Sequence, residues 1–487
     1  MNLTFELLTD EEIRKAHEAS LGVLRRTGMR FGSDAMLAGL EGAGARVDRG
    51  TGVARIPKSL VEKSLEATRR MLREGRRLHL LNGVTSETLG GTEIAAKLSG
   101  GCERFLEWDS QSLRESTACE LLRCIRLGEM LAEVAFVGNP IVARTDLAGR
   151  PVDERVRRIR TAALVAKNTR KVGSMEVWDE REIDPLVEMG TVVRGSREAF
   201  MNRPCLLTAK ETISPLFLDG QAGGILLALA GRSLPCTVIP MPILGLSAPA
   251  PRLGGVIVAN AEILGVMTAI QCVHPDALVG AGAISGILDM RTGAVSFSAP
   301  EAVLQDIAIS EIHRRVYGLD FLIGSGYTDA KYPDSQTLAE KAMKFLFARL
   351  SGRTSHPIGL MNGGSAFSVE QALVDLEICR AVHAHFDGIG GFDGVGELVS
   401  LIDTVGPRGN FADTEHTREH FRENWLPRIW DRAGFDPRDQ GRARDVYRNA
   451  HAEAERRLAA GSFWEIEPEK ARAIDGIAAS AERVLNP

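Results

Sequence analysis

Eight short β-type runs, separated by helix-length stretches, constrain this chain more than any other feature of its sequence. The runs are VAFVGNP (134–140), KVGSMEV (171–177), PCLLTA (204–209), PCTVIPM (235–241), ALVGAGA (277–283), DFLIGSG (320–326), HPIGLMN (356–362) and, with a weaker pattern, FDGIGGF (386–392). Their centres recur every 30 to 45 residues. The intervening segments, such as ERVRRIRTAALVAKN and SVEQALVDLEICRAVHAH, carry apolar residues at helical spacing. Repeated strand–helix units imply parallel strands with right-handed crossovers, and eight of them predict an α/β fold closed as a (β/α)8 TIM barrel. An open doubly wound sheet would carry a dinucleotide fingerprint after its first strand, and VGNPIVARTD has none.

The flanks read differently. Thr9 followed by Asp10, Glu11 and Glu12 is a helix start, a second helix around 34 to 43 stops in Gly-Ala-Gly, and Pro57 opens a third running to about Arg73. Residues 1–75 are therefore expected to be a helical extension. Residues 76–115, with alternating runs broken by glycine (RLHLLNG, IAAKLSGGCERFLEW), are expected to form small antiparallel strands. The barrel is assigned to 116–410. A charged, helical C-terminal extension is assigned to 411–487, interrupted near Gly434 and Pro437.

Composition excludes several function classes. With 59 Lys plus Arg against 64 Asp plus Glu, the net charge is −5, and no basic excess points to nucleic acid. Seven cysteines without a C-x-x-C pair suggest reduced thiols in a cytoplasmic protein, and the acidic opening MNLTFELLTDEEIRKAHEAS lacks the basic head and apolar run of a signal peptide. The tract GGVIVANAEILGVMTAIQCV (254–273) approaches membrane-spanning length, yet Asn260 and Glu262 inside it favour a buried core helix over a membrane span.

Short motifs carry little. His416-Thr417-Arg418-Glu419-His420 matches the H-x-x-E-H zinc pattern without a third ligand nearby, and no metal site is expected. GIGGFDGVG (388–396) fits no phosphate-loop spacing, and there is no G-x-S-x-G elbow. A Schiff-base role for Lys331 would need an apolar setting, whereas its loop carries several acids.

In a (β/α) barrel the chemistry lies just past the carboxyl ends of the strands. That rule selects Asn139, Glu176, Trp178, Glu211, Met241, Pro242, the stretch from Ser325 to Lys331, Asn362, Phe392 and Asp393. The richest segment is GSGYTDAKYPDSQ (324–336). Tyr327 and Tyr332 there offer π faces to a cation, and Asp329 or Asp334 a counter-charge.

The chain as a whole resembles the trimethylamine methyltransferase family. The resemblance rests on LTDEEIRKAHEASLGVLRRTGMRFGSDAMLAGLEGAGARVD and RIPKSLVEKSL near the start. It continues through TISPL (212–216), IPMPILGLSAPAPRLGGVIVANAEIL (239–264), GYTDAKYPDSQTLAEKA (326–342) and VGPRGNFADTEHTREHFRENWLPRIWDR (405–432). It implies transfer of a methyl group from an amine to the Co(I) corrinoid of a separate partner protein, with no tightly bound cofactor. The chain also lacks a D-x-H-x-x-G corrinoid motif, and an acidic, mostly helical surface could dock the carrier. Trimethylamine-specific members contain pyrrolysine; this chain has only standard residues, so the resemblance shifts to quaternary amines such as glycine betaine, other betaines and choline-like compounds remaining open.

On this reading Tyr327, Asp329, Lys331, Tyr332, Glu211, Glu176, Asn362 and Phe392 are the expected substrate-binding residues. Met241, Pro242 and Ser325 would face the corrinoid, and a homo-oligomer is expected. A catalytically silent amine- or corrinoid-protein-binding relative, a tertiary-amine methyltransferase, and an aldol or proton-transfer enzyme are the alternative functions.

Overall fold

The computed structural model describes residues 6–76, 95–173, 175–207, 209–351, 355–390, 392–434 and 445–486. The run RLHLLNG (77–83) and the expected break at Pro437 lie outside them. The fold is mixed α/β. Parallel ladders join Ser355–Pro357 to Ala95–Leu98, and Ala95–Leu98 to Val134–Val137. An isolated parallel bridge, Val137 to Val172, leads to the parallel pair Met175–Glu176 and Leu206–Leu207. A second parallel series runs Ala209–Glu211, Cys236–Ile239, Val279–Ala283, Phe321–Ile323.

Seven of the eight sequence runs thus carry strands. The eighth does not: residues 386–390 are turn and coil, and Phe392–Gly394 is a short 3-10 turn. Three glycines in GIGG supply no side chain to pack on a sheet, so the run has nothing to hold it in a ladder. The parallel place is taken by Ala95–Leu98, from the segment expected to be antiparallel. Farther along that segment Arg104–Glu107 and Ser112–Glu115 do pair antiparallel.

Asp10–Arg26, Asp34–Gly42 and Lys58–Arg73 are the three expected N-terminal helices, the first closed by a Thr9–Glu12 capping box. Between them lies an unforeseen antiparallel sheet of Met29–Phe31, Val53–Arg55 and Arg46–Asp48. Strands of three residues are too short to show alternation. Met29–Phe31 also pairs parallel with Phe217–Leu218, joining the extension to the strand series.

The apolar tract forms the 22-residue helix Arg252–Val273, the one helix among the described residues long and apolar enough to cross a membrane, and it is mostly buried inside the fold. The three N-terminal helices pack against it. A helix apolar on every side belongs in a core. Its internal polar oxygens have partners: Tyr317 donates to Asn260 Oδ1 at 3.1 Å, and Glu262, fully buried, accepts from Ser214 Oγ at 2.9 Å, from the Leu216 amide at 2.7 Å and from Thr212 Oγ1. Burial pushes the Glu262 carboxyl above its usual range, and those three donors oppose the shift. At the C-terminal end Val446–Ala459 packs on Val369–Ala384, and Pro468–Leu485 on Arg157–Asn168 and Ile183–Arg194. All seven thiols are unpaired.

Glu262→Ala would strip two hydroxyls and one amide of their buried acceptor, at a cost of about 1–3 kcal/mol for each group left unsatisfied. The urea midpoint of the variant is expected to fall clearly below that of the parent chain, with Glu262→Gln between the two. An unchanged midpoint for the alanine variant would contradict this role.

Candidate active site

The carboxyl ends of the parallel strands gather a compact set of charged and aromatic side chains. Asn139, two residues past Val134–Val137, donates from Nδ2 to Glu176 Oε2 at 2.7 Å, which aims the Glu176 carboxylate across the strand ends. The backbone beside them is glycine for a physical reason. Gly101 has φ +60°, and a Cβ there would stand 3.3 Å from Glu176 Oε2.

The next strand, Ala209–Glu211, presents Lys210 and Glu211. Glu211 opens to solvent while protein surrounds it, the signature of a group lining a recess. That desolvation raises its carboxyl above the usual range, with Lys210 opposing the shift and Glu176 adding to it. Lys210 is buried, and its ammonium is pushed below the usual lysine range by desolvation. The indole of Trp178 receives two cations, the Lys210 ammonium 4.9 Å and the Arg158 guanidinium 4.1 Å from the ring centroid. Trp178, Lys210, Glu211, Thr212, Ile213 and Asp219 help line an open recess of about 170 Å³, room for a small molecule only.

Tyr327 lies near Glu211 and Glu176, outside the residues that line the recess. Its hydroxyl is held protonated chiefly by burial, and secondarily by the negative potential of Glu211, Glu176 and Asp306. The ring packs 5.8 Å from Phe297, with the Lys344 ammonium 5.8 Å from its centroid. Gly364, at φ +86°, lets the chain pass close: a Cβ there would come within 2.4 Å of the Tyr327 ring. Below, burial pushes Asp306 up and Lys344 down. Cys102, buried with its thiol raised to about 12 by desolvation, donates to Gly364 O at 3.2 Å and stays a thiol.

The other sequence-selected residues take different places. Asp329 ties its own loop, accepting from the Phe297 amide at 2.8 Å and from Ser296 Oγ. Lys331 is exposed and donates back to Asp329 O at 2.6 Å. Tyr332 is 46% exposed, and Asp334 caps the Ser335–Leu350 helix through the Thr337 amide at 2.9 Å. Asn362 donates to Ser365 Oγ at 2.8 Å within its own turn. Phe392, 74% exposed, sits beyond the last strand–helix unit, away from the strand ends. Of the three residues expected to face a corrinoid, Pro242 and Ser325 are buried, Ser325 Oγ lying 3.3 Å from His356 Nδ1, and Met241 is half-buried.

Sequence reasoning missed Lys210 and Arg158. The strand was expected to end at residue 209, which left Lys210 outside it, although its place before Glu211 was a signal. A larger cavity, about 500 Å³, lies between Arg157–Asn168 and Pro468–Leu485. Several of its charged residues are already paired, Arg160 with Glu482 at 2.7 Å and Lys167 with Asp475 at 2.5 Å.

A family model described as Trimethylamine methyltransferase (MTTB) matches residues 2–482. The chain is 26% identical over 435 residues to a glycine betaine methyltransferase of Desulfitobacterium hafniense (strain Y51), spanning 89% of this chain and 88% of the relative. It is also 26% identical over 463 residues to the trimethylamine methyltransferase MttB of Methanosarcina barkeri (strain Fusaro / DSM 804), spanning 92% and 90%. The fold is similar to the crystal structure of a hydroxylamine MtmB complex, with a TM-score of 0.50, 12% identity, and coverage of 92% of this chain and 88% of that one. The likeness thus runs through almost the whole length, from the N-terminal helices past the strand ends to the last helix: the chain belongs to the trimethylamine methyltransferase (MTTB) family.

Proposed function

We propose that this chain transfers a methyl group from a quaternary amine, a betaine resembling glycine betaine, to a Co(I) corrinoid carried by a separate protein. The observation that carries the reading is the recess itself: two carboxylates, Glu211 and Asp219, with the Trp178 indole and Lys210, around a space of about 170 Å³, and Glu176 near enough to Glu211 to add negative potential. The similarity to a glycine betaine methyltransferase supports the substrate class. We take the parallel strands to close into an eight-stranded (β/α) barrel whose first strand is Ala95–Leu98. Gly326, just past Phe321–Ile323, lies so close to Pro357 that a Cβ there would come within 2.2 Å of its ring, which supports closure between those two strands.

A quaternary nitrogen has no N–H to donate, so it is recognised by ring faces and negative charge, each desolvated cation–π contact contributing about 2 kcal/mol. Glu211 supplies the charge, reinforced by the field of Glu176, and Lys210 supplies a positive pole for the substrate's carboxylate. The Co(I) corrinoid, when the carrier docks, supplies the nucleophile that takes the methyl group. The leaving tertiary amine departs neutral, so the site needs no general acid. The remaining contribution is alignment, which can supply roughly 7–11 kcal/mol when the reacting atoms are held in line.

The positive charge on nitrogen disappears during transfer, so the carboxylates stabilise the bound substrate at least as well as the transition state. Their loss should therefore appear in KM rather than kcat. For Glu211→Gln the expected result is a KM raised tenfold or more with kcat changed less than threefold. A fall confined to kcat would contradict this assignment.

The same group sets a pH dependence. Its carboxyl is raised, so as pH falls through that raised value the neutral acid forms and affinity for the cation is lost, beginning at a higher pH than for an exposed glutamate. The acid limb of kcat/KM should move to lower pH or flatten in Glu211→Gln; an unmoved limb would exclude Glu211 as its source.

The activity is tested with the chain, a reduced corrinoid protein and a panel of glycine betaine, carnitine, proline betaine, choline and trimethylamine. The expected result is the absorbance change of the corrinoid on methylation with a betaine and not with trimethylamine. Betaine binding without any such change would favour the silent relative, and trimethylamine turnover alone would overturn the substrate class.

A further inference from the structure

The cavity between Arg157–Asn168 and Pro468–Leu485 holds about 500 Å³, a volume in the range of small-molecule sites and well above the about 170 Å³ of the recess. Its walls explain why it is open. Ala163 on one helix and Ala478 and Ala479 on the other line it, side chains too short to fill the space between two packed helices. Val152 and Leu164 extend the apolar wall, and Leu147, 53% exposed, borders the opening.

Four cations and three carboxylates also line the space. Every carboxylate is paired: Asp146 with Arg150 at 2.8 Å, Glu482 with Arg160 through hydrogen bonds of 2.7 and 2.9 Å, and Asp475 with Lys167 at 2.5 Å. Arg157 is left over. Its Nε donates to Val152 O at 3.1 Å, and neither terminal nitrogen has a partner among the described residues. The neighbouring Asp153 is held by Arg155 through two bonds of 3.0 Å. Two hydroxyls are open as well. Thr145 Oγ1 is buried without a hydrogen-bond partner among the described residues. Thr161, 5% exposed and one helical turn past Arg157, makes no side-chain hydrogen bond among them either. A buried hydroxyl left unpaired is costly, and an acceptor placed in the cavity removes that cost.

We infer that this cavity is a second ligand site, built for a monocarboxylate with an apolar body. One unpaired guanidinium matches one carboxylate, whose two oxygens can take the terminal N–H groups of Arg157 in parallel while a threonine hydroxyl donates to a remaining lone pair. The alanine walls take the hydrocarbon. A quaternary amine has no counter-charge here, because a cation already neutralises each carboxylate of the lining. The site is separate from the recess. Arg158, Ala162 and Val165, on another stripe of the same helix, line a small space with Asn139 and Glu176, so the helix stands between the cavity and the strand ends.

Titration calorimetry of the full chain tests the assignment, with octanoate as the probe and octan-1-ol as its neutral counterpart. Octanoate should bind saturably, one molecule per chain, and roughly tenfold or more tighter than the alcohol. Arg157→Gln should weaken octanoate roughly tenfold or more and leave the alcohol unchanged. Arg157→Lys, which keeps the charge and loses the fork, should fall between the two. Ala478→Phe should remove binding of both by filling the space, with far-UV circular dichroism confirming the fold of each variant. Saturating glycine betaine should leave octanoate in place. No saturable octanoate binding up to about 5 mM, equal affinity in parent and Arg157→Gln, or displacement by glycine betaine would overturn the proposal. None of these outcomes bears on the methyl-transfer reading, which the activity assay tests separately.

Discussion

One buried carboxylate holds the two halves of this molecule in register. Glu262, midway along the core helix Arg252–Val273, collects Thr212, Ser214 and the Leu216 amide, the residues that directly follow the strand bearing Lys210 and Glu211. Leu216 O in turn accepts from the Arg30 amide at 2.8 Å, and Phe217–Leu218 pairs with Met29–Phe31. A charge or polar group at that depth is tolerated only when its hydrogen bonds are complete. The satisfied cluster therefore fixes where the Glu211 strand ends and where the N-terminal sheet attaches, and the recess inherits its shape from both.

Within the recess, charge is placed by burial rather than by strong ion pairing. Glu211 and Lys210 are neighbours whose shifts both come first from desolvation, and each moderates the other. Such groups keep part of their field available to a ligand. By contrast Lys341 and Asp375, fully buried and 2.9 Å apart, donate to and accept from the surrounding backbone as well, and they serve the fold: Lys341 also donates to Gly326 O and Asp375 accepts from the Gly359 amide. The recess and this pair use the same chemical types for opposite purposes, and hydrogen-bond saturation is what separates them.

The sequence made the repeating strand–helix order legible because each unit shows its own periodicity. Seven strand positions, three N-terminal helices and the buried nature of Arg252–Val273 follow from it. The run holding Ala95–Leu98 was expected to be strand but antiparallel, because its glycine-broken surroundings resemble a hairpin, whereas it pairs parallel on both sides, and FDGIGGF imitated a strand by alternation alone. The strand-end rule selected Glu176, Glu211 and Tyr327, which the fold brings near one another. It also selected Asp329, Lys331 and Asn362, whose hydrogen bonds turn inward on their own loops, since local side-chain-to-backbone bonding cannot be read from strand spacing. Lys210 and Arg158 escaped because their meeting at Trp178 is made by tertiary packing between separate segments.

The central claim is that the recess recognises a permanently positive nitrogen. Titration calorimetry with glycine betaine and with 3,3-dimethylbutyrate, in which a neutral carbon replaces that nitrogen in the same shape, isolates the charge from the fit. The account predicts at least a hundredfold tighter binding of glycine betaine, on the order of two to three kcal/mol from ring faces and carboxylates together. Equal affinity for the two, or preference for the neutral isostere, would contradict it.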